Sequence, residues 1–285
     1  MTLSETAVNI LPTLTWTQKY AFLRMCQAIN VGNEENAELW NLIEPRLKGV
    51  AEVFEEPPTV ECMREALDSL PIDSSNGLQI LIGALARGNV YDEVWTENSD
   101  GTVSYKPSPR YREFVSYVIK EARYLGLNNP SVLDVGCWQG TMMYLLRLNG
   151  YRVSGIDLCG PALKTARHRL SRFRDGVELY EGMASEVLSR IPPKTFDIVI
   201  CAETLEHVPS VLLGETCREI SRVVKNLILV EVPGWDDGAP NHLRVFTLED
   251  ICKLFPADMW RMQTLQNPGM SVYTTVKLTR RKETL

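Results

Sequence analysis

The sequence predicts an α/β fold: a doubly wound, mostly parallel seven-stranded sheet with a terminal antiparallel hairpin, preceded by an α-helical accessory domain. Three observations predict it. From Ser131 onward, short apolar strand patterns alternate with helical stretches at the spacing of βαβ units. Near the end, Arg261 to Leu265 and Val272 to Leu278 read as two strands joined by Asn267-Pro268-Gly269, with no helix between them. Before residue 90, apolar residues recur every three or four positions, the period of a helix packed on one face.

The accessory segment spans residues 1–105. Trp16 to Ile29, Asn36 to Phe54, Val60 to Leu70 and Leu78 to Ala86 carry the helical period. Proline and acidic breaks such as Glu55-Glu56-Pro57-Pro58 and Pro71-Ile72-Asp73 separate them. The segment ends in a small hairpin, because Asp100-Gly101 sits between β-prone arms from Val94 to Tyr105. Residues 106–280 form the main domain, and 281–285 a polar tail. Ser108-Pro109 starts a helix, with a capping side chain before a proline at the first helical position.

Within the main domain the strand patterns are 131–136, 152–158, 177–181, 196–202 and 227–232. Helical stretches from Thr141, Pro161, Ala184, Val211 and Leu248 follow them in turn. Ser131-Val132-Leu133-Asp134-Val135-Gly136 runs an apolar strand into a glycine turn that closes at Gly140. Glycine there lets the backbone approach a ligand, and the helix that follows offers free N–H groups at its start.

Bulk properties exclude several classes. A net charge of −6 supplies no global basic field, so nucleic acid is not an expected partner. Lys164, Arg167, His168, Arg169, Arg172 and Arg174 cluster late in one helix, where a solvated face complementing the helix dipole is the plain reading. The longest apolar run, around Leu78 to Leu85, is too short to span a bilayer. Seven scattered cysteines without a CxxC pair, and a start without a basic region and apolar core, predict reduced thiols and a cytoplasmic location.

The pattern apolar–apolar–Asp134–x–Gly136–Cys137–Trp138–x–Gly140 resembles the first motif of class I S-adenosylmethionine-dependent methyltransferases. Trp138 stands where that motif has its middle glycine. The fourth-strand block, Phe196 to Ala202 followed by Glu203-Thr204-Leu205-Glu206-His207, and the terminal hairpin resemble the same family over residues 109 to 280.

The resemblance implies S-adenosyl-L-methionine as cofactor and S-adenosyl-L-homocysteine as product, held by Asp134, Gly136, Cys137, Trp138, Gly140, Asp157, Leu158, Met183, Ala184 and Ala202. Asp157, at the end of the second strand of the sheet, suits the ribose hydroxyls; the alternative is a cap for the next helix. Met183 stands where relatives carry an acid, so it packs on the adenine or simply in the core. His207, Glu206 and His242 are the catalytic candidates, with a loop-bracing role equally open. No metal is expected; a divalent ion, if held, would use Glu203, Glu206, His207 and His242.

The implied reaction is direct in-line O-methylation of a small-molecule or saccharide hydroxyl, with the helical segment capping the site and Tyr105, Arg110 and Tyr111 at its edge. Three alternatives stay open: an RNA 2′-O-methyltransferase using a metal, a non-catalytic cofactor-binding protein, and an NAD-dependent oxidoreductase.

Overall fold

The computed structural model describes residues 2–29, 37–85, 94–97, 103–106, 109–173, 175–265 and 273–281, with backbone pairing alone for 94–97 and 103–106. The chain opens with five helices: α1 (Leu3–Ile10), α2 (Trp16–Ala28), α3 (Ala37–Leu47), α4 (Val60–Asp68) and α5 (Ile72–Leu85). Strands β1 (Val94–Glu97) and β2 (Val103–Lys106) pair antiparallel, as the hairpin pattern predicts; its turn lies outside the described residues.

Helix α6 (Pro109–Tyr124) leads into the alternating series β3 (Ser131–Val135), α7 (Thr141–Leu148), β4 (Arg152–Asp157), α8 (Gly160–Leu170), β5 (Val177–Glu181), α9 (Ala184–Ser189), β6 (Phe196–Ala202), α10 (Ser210–Val223), β7 (Val224–Pro233) and α11 (Leu248–Leu254). Strands β8 (Trp260–Leu265) and β9 (Tyr273–Arg280) close the sheet.

The sheet order is β5-β4-β3-β6-β7-β9-β8. The first five strands run parallel, and β9 pairs antiparallel with both β7 and β8. The order reverses between β3 and β6, which places the ligand crevice of an open parallel sheet beyond the ends of those strands. Both faces of the sheet are covered. One core gathers Leu133, Val199, Ile228 and Phe255, and the other Val132, Met143, Leu163 and Ile200. The near-continuous apolar runs of β6 and β7 follow from burial on both sides.

The N-terminal helices have their own core around Phe22, Ile43 and Leu81. Their boundaries differ from the periodic reading in three places. Helix α1 went unread because it is short. It is held by a capping box, in which the Thr2 side chain takes the Glu5 N–H and Glu5 returns to the Thr2 N–H. The stretch 36–54 breaks after Leu47 into a single 3₁₀ turn, Ala51–Val53. Helix α5 begins at Ile72 rather than Leu78, since Asp73-Ser74-Ser75-Asn76-Gly77 looks like a turn by composition yet continues the helix.

The basic cluster on α8 is also more than a solvated face. Arg169 donates to the Gln139 carbonyl at 3.3 Å, and Arg172 to the Tyr144 hydroxyl at 2.7 Å, tying α8 to α7 and its leading loop. Arg174 lies outside the described residues.

Two arginines fasten the helical segment to the main domain. Arg64, 8% exposed, forms a two-point ion pair with Asp236 at 2.7 and 2.6 Å and also reaches the Ala239 carbonyl. Arg244 lies 3.4 Å from Asp68 and donates to the Ser210 hydroxyl. Arg64→Met keeps the apolar stem and removes the fork. Faster amide exchange across 234–243 and a melting temperature lowered by roughly 2–5 °C are expected, in line with a loss of about 1–2 kcal/mol; unchanged exchange there would mean that the loop holds itself.

Candidate active site

A cavity of about 290 Å³ lies beyond the carboxyl ends of β3, β4 and β6, under α5. Its floor is the turn after β3. Gly136 has φ +79°, and a Cβ there would fall 2.1 Å from the Thr204 hydroxyl. Trp138 also holds a left-handed backbone, φ +48°, so the turn keeps a glycine-like course with a tryptophan in it. The carboxylate of Asp157 fixes that course: Oδ2 accepts the Trp138 N–H at 2.7 Å, and Oδ1 accepts the Cys159 N–H at 2.8 Å. Each oxygen retains a lone pair for a further donor. Burial pushes the Asp157 carboxyl up to about 6 against the lowering pull of these N–H donors, so it is largely ionised at neutral pH.

The Trp138 indole packs against α5. A Cβ on Gly83 would meet the indole at 3.0 Å and the Cys159 sulfur at 2.7 Å. The absent side chain therefore lets the helical segment seat on the glycine turn.

Most of the expected cofactor residues line the cavity: Gly136, Cys137, Trp138, Asp157, Leu158, Met183, Ala184 and Ala202. Asp134 and Gly140 do not. Gly140 caps α7 with φ +76° and packs against α8, where a Cβ would sit 3.1 Å from that of Ala166. Asp134 is 1% exposed beneath the turn, and neither carboxylate oxygen has a hydrogen-bond partner among the described residues. Burial, with the nearby Asp157 charge, pushes its carboxyl up to about 8.

Of the catalytic candidates, His207 lines the cavity, while Glu206 and His242 stand behind it. The His207 and His242 rings meet edge to face, with centroids 4.8 Å apart. His207 Nδ1 lies 2.9 Å from the Asn241 carbonyl, which only accepts, so Nδ1 carries the proton and Nε2 keeps its lone pair. Burial, then the neighbouring His242, lowers its pKa to about 4, so the ring is neutral at pH 7. His242 Nδ1 lies 2.8 Å from Asp237. Glu206 is fully buried with both oxygens unpartnered among the described residues, and burial drives it far toward the neutral acid.

Ligand atoms of Glu206, His207 and His242 fall within 4.8 Å of one another. Glu203, expected with them, turns away and pairs with Arg110 at 2.7 Å. Arg110 also binds Glu231 at 2.7 Å and stacks 3.8 Å over the Tyr273 ring. Burial raises Glu203 to about 7 despite that arginine. Arg110 and Tyr111 edge the cavity as expected; the Tyr105 side chain lies outside the described residues. The wall contributed by α5, including Ser75, Asn76, Gln79 and Ile82, went unread in the sequence.

Residues 133–227 match the family model described as a methyltransferase domain. A ubiquinone biosynthesis O-methyltransferase from Nitrosomonas europaea is 31% identical over 132 residues, 46% of this chain and 53% of that protein. Its namesake from Chromobacterium violaceum is 34% identical over 116 residues, 40% and 47% of the two chains. The chain thus spans about half the length of the curated relatives it matches. A crystal structure of a Pyrococcus horikoshii protein superposes with a TM-score of 0.50 at 17% identity, covering 61% of this chain and 93% of that one, and shares the fold.

Asp134 generates a pH prediction. A carboxyl whose folded pKa is raised contributes stability that is present below the unfolded value, about 4, and lost as pH rises through about 8. Asp134→Asn, neutral and nearly isosteric, should flatten that decline, so that urea midpoints agree below about pH 4 and the variant is the more stable by a few kcal/mol, roughly, at pH 8. Parallel curves for the two proteins would show that Asp134 does not titrate in this range.

Proposed function

We propose that the chain, whose residues 133–227 match the model of a methyltransferase domain, is an S-adenosylmethionine-dependent methyltransferase acting on a hydroxyl oxygen of a small molecule. One observation carries the reading furthest. Asp157 ends β4 beside the left-handed glycine turn, its two oxygens already aimed along the cavity floor by the Trp138 and Cys159 N–H groups. A carboxylate so held suits a pair of ribose hydroxyls. A diphosphate fits the same floor poorly, because the Trp138 side chain stands where close phosphate approach needs glycine; this weighs against the NAD alternative. Of the acceptors that the sequence leaves open, the ubiquinone-biosynthesis relatives favour a small molecule and give no support to a saccharide.

S-adenosylmethionine, when bound, supplies a sulfonium methyl group for direct in-line transfer. The chain's own contribution is positioning and desolvation. Asp157 accepts the ribose hydroxyls, Met183 and Ala184 pack the adenine side, and α5 with Leu212 keeps water from the reacting hydroxyl. His207 is neutral, with its Nε2 lone pair available. It orients the acceptor O–H and takes the proton as the new C–O bond forms. The Asn241 carbonyl and the edge-to-face contact with His242 hold that ring in place.

A second reading adds a divalent cation. The unpartnered oxygens of buried Glu206 face two imidazoles, His207 with its Nδ1 on the Asn241 carbonyl and His242 with its Nδ1 2.8 Å from Asp237, and the three make a candidate ligand set. A cation there would draw the proton from Glu206 and polarise an acceptor oxygen.

Calorimetric titration of S-adenosylhomocysteine with and without EDTA tests both readings. Micromolar binding to the wild type, weakened about tenfold or more in Asp157→Ala, is expected. Wild-type affinity in that variant removes the ribose assignment. Methyl transfer that survives EDTA, in protein free of metal by elemental analysis, removes the cation.

A further inference from the structure

Helix α5 presents an unusual face to the cavity. The helix is apolar and buried from Leu81 to Leu85, yet Ser75, Asn76 and Gln79, in its first half, all line the cavity. None of the three side chains has a hydrogen-bond partner among the described residues, and Ser75 is only 7% exposed. Ser75 is buried and Asn76 and Gln79 are half-buried, so a ligand that fills the cavity and expels its water must supply their partners. Around them the wall is apolar, with Ile29, Ile82 and Leu212.

The charge inventory points the same way. Among the described residues, Arg110 is the one Lys or Arg side chain on the cavity wall, and Glu203 and Glu231 already hold it at 2.7 Å each. His207, the imidazole on the wall, is neutral. The wall itself therefore offers no free cation to an anionic group on the acceptor, which would face Asp157 and Glu203 across an apolar lining away from the sulfonium of the cofactor. Burying an uncompensated charge in that setting is strongly unfavourable.

We infer that Asn76 and Gln79, with Ser75, are the specificity-determining residues for an uncharged acceptor that has an apolar body and a second neutral hydrogen-bonding group besides the reacting hydroxyl. The inference rests on the proposed methyltransferase reading and adds the chemical class of the acceptor. A carbonyl or amide on the acceptor meets the two side-chain amides, each able to donate and accept. The apolar walls take the rest of the molecule. Discrimination then comes from α5, an element outside the methyltransferase domain proper.

The test uses a matched pair of probes of nearly equal shape, 4-hydroxybenzamide and 4-hydroxybenzoate, titrated by ligand-observed NMR into the full chain with and without S-adenosylhomocysteine. The amide should bind about tenfold more tightly than the carboxylate. The double variant Asn76→Leu, Gln79→Met should lose most of that affinity, by about fivefold or more, while keeping its melting temperature and its affinity for S-adenosylhomocysteine. Gln79→Lys places a cation on the wall and should reverse the preference toward the carboxylate, a gain that a misfolded protein cannot mimic.

Equal or tighter binding of the carboxylate to the wild type overturns the inference. So does an unaltered double variant, or no binding of either probe in the millimolar range. Failure of S-adenosylhomocysteine to bind would instead strike the cofactor reading, because the probe preference is read separately on the cavity without it.

Discussion

The carboxylate of Asp157 is the interaction on which the site depends. It accepts the N–H of Trp138, a residue in a left-handed conformation that disfavours any side chain, and the N–H of Cys159, which leads into α8. A non-glycine residue in that conformation is unfavourable by about 1–2 kcal/mol; a charge-assisted hydrogen bond at 2.7 Å is of the size needed to hold it. Once the turn is fixed, the Trp138 indole and the Cys159 sulfur form one surface, and Gly83 lets α5 settle on it. The position of α5 in turn sets where Ser75, Asn76 and Gln79 face. A single acid on the cavity floor thus links that floor to the opposite wall.

Burial governs the rest of the electrostatics. Asp134, Glu203 and Glu206 are all raised by loss of solvent, and His207 is lowered by it. The shared direction is toward neutrality, so the cavity at pH 7 holds far less charge than its composition suggests. Asp157, largely ionised on its N–H donors, and Arg110 are the exceptions: Arg110 stays ionised between Glu203 and Glu231 and over the Tyr273 ring. That network joins α6 to the ends of β6, β7 and β9, and it stiffens the rim next to the neutral imidazole.

The parallel sheet was legible because β6 and β7 are buried on both faces and leave long apolar runs between turn residues. The terminal hairpin was legible because no helical stretch separates its strands. The floor of the site was legible through Gly136, Trp138 and Asp157, whose spacing along one βαβ unit encodes the turn.

The opposite wall was not legible. Asp73 to Gly77 has the composition of a turn, and only the packing of α5 makes it a helix. Gln79 and Gly83 within an otherwise apolar helix were the available signals, since such a helix is buried and its polar or missing side chains need a reason. Asp134 and Gly140 show the converse limit: both sit in the motif, but Asp134 lies beneath the turn and Gly140 serves the contact with α8.

Trp138 brings these strands of argument together. Glycine at that position would ease the backbone and open the floor. It would also remove the indole on which Gly83 rests, leaving the helical segment attached to the main domain through the α4 pairs Arg64–Asp236 and Arg244–Asp68, which reach the two ends of the loop after β7. Those pairs are partly solvated, with Asp236 at 43% side-chain exposure, and hold less firmly than a ring packed into a tight helix contact. The tryptophan therefore makes sense only in a chain that also carries α5 with a glycine at 83. Departure from the glycine motif and possession of the helical segment are then two parts of one arrangement, in which the turn on the cavity floor and the α5 wall are positioned by the same contact.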